Sequence, residues 1–149
     1  MEGKKYEKIM VATDGSKAVR KAIETGIELA RLSGAKLYAV YVIAPSGYSQ
    51  RDFGWEKSLR EFLQDEGDKA VAFIEDAGKT AGIKVEPVTL EGHPAEKILE
   101  FAEQEGIDII VMGTLGKTGL ERFLLGSVAE NVVRHSKIPV LVVKDEIEE

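Results

Sequence analysis

Short apolar runs alternate along the chain with longer stretches in which apolar residues recur every three or four positions. The run Lys8–Thr13 comes first, and the run Lys36–Ile43 follows it. Runs of this length that are apolar almost throughout are typical of strands covered on both faces. The stretch between them has apolar residues at helical spacing, which predicts an amphipathic helix over 17–32 that ends at Gly34.

The second half of the chain repeats this alternation. It begins after a loop, 45–54, that is rich in Pro, Gly and Ser. Because Pro87 has no N–H to donate to a neighbouring strand, we expect its strand to lie at the sheet edge. The pattern predicts helices over 56–80, 94–105 and 128–135, and strands over 83–90, 107–112 and 139–144.

Strands and helices that alternate in this way predict one α/β domain over 1–149, with an open, doubly wound parallel sheet and helices on both faces. In such sheets, ligands bind beyond the carboxyl ends of the strands, where the winding reverses direction. Glycine-containing loops follow the first and fourth predicted strands. If these two strands are neighbours, both loops border one crevice.

Composition excludes several classes of function. The 149 residues carry a net charge of −6, include no cysteine, and contain no basic cluster. Disulfides and thiolate zinc sites are therefore excluded, and general binding to nucleic acid or to an anionic membrane is not expected. The sequence contains no apolar run of membrane-spanning length and begins without an apolar leader. We expect a cytoplasmic protein.

The loop after the fourth strand has the most informative glycine pattern. Gly113 is followed after two residues by Gly116, and after nine more by Gly126 and Ser127. A Walker A loop is rejected, because Val111 stands where that motif needs glycine. Glycines between a strand and a helix start allow backbone N–H groups to converge on an anion, which favours phosphate. Alternatively, Ser127 caps its own helix, since Ser127 and Glu130 have capping-box spacing.

Asp14 follows the first strand and precedes Gly15 and Ser16. An Asp in this position commonly accepts a hydrogen bond from its own turn or caps the following helix. It would equally suit a hydrogen bond to a ribose, or to a water on phosphate-bound Mg²⁺. Both interpretations remain open, and they are compatible.

The glycine spacing, together with the strand runs Ile9–Ser16, Asp108–Gly113 and Ile138–Val143, resembles the ATP-binding branch of the universal stress protein family. The resemblance covers nearly the whole chain. It implies a Rossmann-like sheet of order 3-2-1-4-5, a homodimer, and bound ATP with Mg²⁺ held through its phosphates. It also implies ten site residues: Ala12, Thr13 and Asp14 beside the nucleoside, Val42 and Met112 near adenine, and Gly113, Gly116, Gly126, Ser127 and Val128 around ribose and phosphates.

The last predicted strand, 139–144, is apolar and would leave unpaired backbone groups at a sheet edge. Pairing with the same strand of a second copy would satisfy them by two-fold symmetry. Three functions follow as alternatives. The protein is a nucleotide-dependent switch that acts on an unknown protein partner, a slow ATPase or nucleotide-dependent transferase, or an interaction module that binds no nucleotide.

Overall fold

A five-stranded parallel sheet forms the centre of the fold. The computed structural model describes residues 5–44, 53–114 and 125–144. In chain order the elements are β1 (Lys8–Thr13), a short 3₁₀ turn (Lys17–Val19), α1 (Arg20–Ser33), β2 (Lys36–Ile43), α2 (Phe53–Ala81), β3 (Val85–Glu91), α3 (Pro94–Glu105), β4 (Ile109–Gly113), α4 (Ser127–His135) and β5 (Val140–Val143).

The strand order is β3-β2-β1-β4-β5, and the described strands pair in parallel throughout. This confirms the predicted Rossmann-like α/β sheet. It also places Pro87 on an edge strand, as its missing N–H requires. Because β1 lies between β2 and β4, the winding reverses between β1 and β4, and their carboxyl ends face a common crevice.

Two apolar cores cover the two faces of the sheet. Alternate residues of one strand point to opposite faces, so Ile9 and Val11 of β1 belong to one core and Met10 to the other. Buried residues of α1 and α2 complete the first core, and those of α3 and α4 complete the second. The nearly continuous apolar runs of the central strands follow from this double coverage.

Element boundaries differ from the predicted ones by a few residues. The predicted helix 17–32 starts as a 3₁₀ turn before it becomes α1, while α2 extends beyond 56–80 at both ends. Gly34 and Gly106 end α1 and α3 in the left-handed conformation, each with φ of 72°. The predicted loop 45–54 lies largely outside the described residues, apart from its end, where α2 begins at Phe53.

Candidate nucleotide site

The turn after β1 is held by its own side chains. The N–H of Gly15 donates to Thr13 Oγ1 at 3.1 Å, and the N–H of Ser16 donates to Asp14 Oδ1 at 2.9 Å. Gly15 has a φ of +79°, a conformation that side-chain-bearing residues rarely adopt. The turn-forming role predicted for Asp14 is therefore confirmed. The turn keeps the Asp14 carboxylate at the carboxyl end of the sheet.

A second backbone junction faces this turn. The N–H of Gly126 donates to the carbonyl oxygen of Thr114 at 2.6 Å, which ties the start of α4 to the end of β4. Gly113 is still part of β4, where it pairs with Val143, and its φ is not positive. The chain therefore does not turn at Gly113, because β4 continues through this residue and β5 pairs with it.

The capping box predicted as the alternative role of Ser127 is wrong. Gly126 occupies the N-cap position, with φ of −61° and ψ of 155°, and Ser127 is the first residue of α4. The Glu130 side chain accepts instead from Arg134 Nη2 at 2.7 Å, one turn along the helix. The Ser127 hydroxyl is exposed and bonds no group in the described part of the chain, so it is available to a ligand at the helix N-terminus.

The two junctions border one open cavity of about 430 Å³. This volume falls within the roughly 300–1,000 Å³ that is typical of small-molecule sites. Nine of the ten residues expected from the sequence line it, and the tenth, Gly116, lies outside the described residues. The nine are Ala12, Thr13, Asp14, Val42, Met112, Gly113, Gly126, Ser127 and Val128.

Most of the lining is apolar, which suits a flat base or another weakly polar ring. Among the described lining residues, Asp14 is the one side chain with a full charge. The N-terminus of α4 contributes the opposite sign, because its first N–H groups lack partners within the helix and the helix dipole is positive there. One side of the cavity thus favours hydroxyl donors and the other favours anions.

Several lining residues were not identified from the sequence. They include Tyr41 from the end of β2, Leu63 from α2, and Pro94 and Ile98 from α3. Helical spacing marked Leu63 and Ile98 as core residues but gave no position relative to the crevice. Tyr41 could have been found from its place, one residue before Val42 at the end of a strand next to β1.

Tyr41 is 4% exposed and is held between two glycines. A Cβ built on Gly67 of α2 would lie 2.6 Å from Tyr41 Cδ1, and one built on Gly15 would lie 3.8 Å from Cε2. The ring therefore occupies the space that a side chain at position 67 would need. Burial raises the pKa of Tyr41, and the negative charges of Glu66 and Asp14 raise it further, so the phenol stays protonated at neutral pH.

Comparison with known proteins identifies the family. Residues 5–144 match the model of the universal stress protein family. The chain belongs to this family. Universal stress protein MJ0531 of Methanocaldococcus jannaschii is 44% identical over 141 residues, which cover 93% of this chain and 82% of that protein.

Two solved structures extend the comparison. The structure of MJ0577 from the same organism is 35% identical, with a TM-score of 0.81 over 96% of this chain and 99% of that one. A universal stress protein from Archaeoglobus fulgidus, solved in complex with dAMP, is 26% identical, with a TM-score of 0.68 over 93% and 98% of the two chains. Within the described residues, no helix is long and apolar enough to cross a membrane.

Proposed function

We propose that this universal stress protein binds ATP in the cavity between the β1 turn and the start of α4. The observation that supports this most directly is the convergence of nine expected residues on one cavity of nucleotide size. A relative whose structure was solved in complex with dAMP supports the adenine nucleotide class. The bound nucleotide changes the shape or the partners of the protein, which acts as a homodimeric, cytoplasmic switch in stress response.

Different parts of the lining would hold different parts of the nucleotide. Adenine would lie against the apolar group formed by Ala12, Val42 and Met112, with a hydrogen bond to the Val42 backbone. Thr13 and Asp14 would face the ribose. The phosphates would lie at the positive end of α4, where backbone N–H groups are free to bind anions. The proposed phosphate residues are Gly113, Gly116, Gly126, Ser127 and Val128.

A magnesium ion fits the charge of the site. Mg²⁺ prefers oxygen ligands and usually keeps several waters while it binds substrate phosphates and one or two carboxylates. The Asp14 carboxylate lines the cavity and could accept from such a water. The described residues contain no group of three His, Cys, Asp or Glu side chains that could hold a metal unaided. The phosphates would therefore supply the main ligands, and the ion would offset their repulsion from Asp14.

An ATPase or a nucleotide-dependent transferase is the second candidate. Phosphoryl transfer needs positive charge on the phosphates and a group that orients the attacking atom. The described lining contains no Lys, Arg or His. This lining favours binding over turnover, and hydrolysis, where it occurs, would be slow.

The homodimer would form through β5. This strand occupies one edge of the sheet, and its four residues Val140–Val143 are only half-buried within one chain. Edge strands that expose apolar residues and unpaired backbone groups readily pair with another strand. Two-fold pairing of β5 with the β5 of a second copy would cover this edge in both chains at once.

The test combines acid extraction of nucleotide from freshly purified protein with calorimetric titration of the emptied protein by ATP, ADP and AMP, with and without Mg²⁺. We expect adenine nucleotide in the extract and saturable binding of one nucleotide per chain. Mg²⁺ should strengthen the binding of ATP much more than that of AMP. Binding of all three nucleotides at millimolar affinity or weaker would contradict the proposal and favour an interaction module that binds no nucleotide.

A further inference from the structure

Tyr41 has a hydroxyl that its fold does not use. The residue is 4% exposed and lines the cavity, yet its hydroxyl makes no hydrogen bond within residues 5–44, 53–114 and 125–144. Among the described residues, the buried side-chain oxygen without a partner is Ser16 Oγ and not the Tyr41 hydroxyl, so the phenol oxygen is still reachable from the cavity and a ligand there can bond it. Tyr38 provides the comparison on the same strand, because its hydroxyl donates to Glu105 Oε1 at 3.2 Å.

The ring of Tyr41 is fixed in its position. Because Gly67 has no side chain, it leaves room for the ring on one side, and Gly15 lies beside the opposite edge of the ring. Gly15 follows Asp14 in the β1 turn, so the tyrosine ring lies beside the same turn that holds the Asp14 carboxylate. Both side chains face one cavity, and both are held before any ligand arrives.

The two groups have complementary hydrogen-bonding roles. An ionised carboxylate only accepts, whereas the protonated phenol can donate. A ligand hydroxyl can do both at once, since it carries one hydrogen and two lone pairs. A phosphate suits this position poorly, because Asp14 and Glu66 both place negative charge near the Tyr41 hydroxyl.

We propose that Tyr41 and Asp14 together bind one ribose hydroxyl of the nucleotide, which donates to the Asp14 carboxylate and accepts from the Tyr41 hydroxyl. This inference rests on the proposed nucleotide function and adds a sugar-recognition residue to it. It makes the site selective for one sugar hydroxyl, because an analogue that lacks this group leaves the Tyr41 hydroxyl without a partner and leaves Asp14 with only the bond from the Ser16 N–H.

The test measures the affinities of AMP, 2′-deoxy-AMP and 3′-deoxy-AMP for the parent protein and for Tyr41→Phe, which removes only the hydroxyl. We expect AMP to bind Tyr41→Phe about three- to tenfold more weakly than the parent. For one of the two deoxynucleotides, the same substitution should change the affinity by less than about twofold, since the bonded hydroxyl is already missing. Tyr38→Phe is the matched control and should bind all three nucleotides like the parent.

Two results would overturn the inference while the nucleotide site stands. One is parent-like affinity of Tyr41→Phe for AMP. The other is an equal loss for AMP and both deoxynucleotides, which would mean that the hydroxyl acts on shape or on phosphate. If the parent protein itself fails to bind AMP and ATP, the proposed nucleotide function is wrong, and the sugar contact is wrong with it.

Discussion

The N–H of Gly126 donates to the carbonyl oxygen of Thr114 at 2.6 Å, and this bond joins the two ends of the glycine loop. It holds the N-terminus of α4 beside the end of β4, so both lie next to the Asp14 turn of β1. The frame of the cavity is therefore formed by hydrogen bonds within the protein, from backbone N–H groups to a carbonyl in the glycine loop and to side-chain oxygens in the β1 turn. Substitutions that fill or reshape this frame should alter binding without unfolding the protein.

Gly126→Val should abolish binding of ATP and AMP. Gly126 has φ of −61° and ψ of 155°, a conformation open to any residue, so the variant should fold. Its branched side chain would occupy the phosphate end of the cavity. Titration calorimetry measures the binding, and circular dichroism verifies the fold. Gly26→Ala in α1 is the control, because its new Cβ would make an ordinary contact 3.5 Å from Val11 Cβ. Parent-like affinity of Gly126→Val would refute the placement of the phosphates.

Substitutions of Asp14 should separate its structural role in the β1 turn from its role in binding the ligand. Asp14→Asn keeps an acceptor for the Ser16 N–H, so its free energy of unfolding should stay within about 0.5 kcal/mol of the parent. The loss of the charge should weaken AMP binding roughly five- to tenfold. Asp14→Ala should lose about 1 kcal/mol of stability as well, because the turn acceptor is gone. Urea denaturation and calorimetry measure the two effects.

A distant carboxylate provides the control for the Asp14 series. Asp108 Oδ2 accepts from the N–H groups of Glu7 and Lys8 at 2.9 and 3.0 Å, at the opposite end of the sheet. Asp108→Ala should cost about 1–3 kcal/mol of stability and leave AMP affinity unchanged. The ligand role of Asp14 would be excluded if Asp14→Asn bound AMP as tightly as Asp108→Ala does.

Two glycines of α2 should respond differently to alanine. At position 67 the new methyl group would meet the Tyr41 ring, and at position 78 it would lie 2.3 Å from Val85 Cγ2. Each change overpacks the interior, at a cost of about 1–3 kcal/mol. Only Gly67→Ala displaces a residue that lines the cavity, so only this variant should bind AMP more weakly. Equal AMP affinities in the two variants would show that the position of the Tyr41 ring does not affect binding of the ligand.

The stability of the protein at alkaline pH should depend on the buried phenol of Tyr41. Its pKa is raised by burial and by Glu66 and Asp14, so the unfolded chain loses this proton first. Above about pH 10 the folded state then binds more protons, and stability falls as the pH rises toward the folded pKa. Between about pH 9 and pH 11 the parent should lose more stability than Tyr41→Phe in urea denaturation. Parallel losses in the two proteins would contradict the direction of the shift.

The dimer prediction concerns β5. Light scattering should give twice the mass of one chain, and Val142→Lys should give a monomer, because a charged side chain on an edge strand opposes pairing. AMP affinity should persist in the monomer. Val133→Lys is the control, since Val133 is 46% exposed and belongs to α4 and not to the pairing strand. A dimer that survives Val142→Lys would place the interface elsewhere.

The architecture could be predicted from the sequence because strands that are covered by helices on both faces are apolar almost throughout. The continuous apolar run of β2 indicated a strand with helices on both faces, and the helical spacing in α1 indicated a helix packed on the sheet. The resemblance to the family supplied the strand order, which the structure confirms. Pro87 identified an edge strand through a missing donor. These features depend on local chemistry, so they can be read from the residues themselves.

Details that depend on partners far along the chain were not predictable in this way. The Ser127 spacing favoured a capping box, but the bond from Gly126 to Thr114 starts α4 one residue earlier than expected. Gly113 continues β4 because Val143 pairs with it. The ring of Tyr41, which lines the cavity, packs where α2 approaches at Gly67, and no local pattern indicates that approach.

The most direct test is a titration of isotope-labelled protein with AMP, followed through its backbone amide signals. Shifts should concentrate at Thr13, Asp14, Val42 and Gly126, around the cavity, and should saturate together. The amides of Glu7 and Lys8, at the opposite end of the sheet, should stay in place. Binding that shifts those two amides and leaves the cavity unchanged, or no shift at millimolar AMP, would contradict a nucleotide site at this crevice.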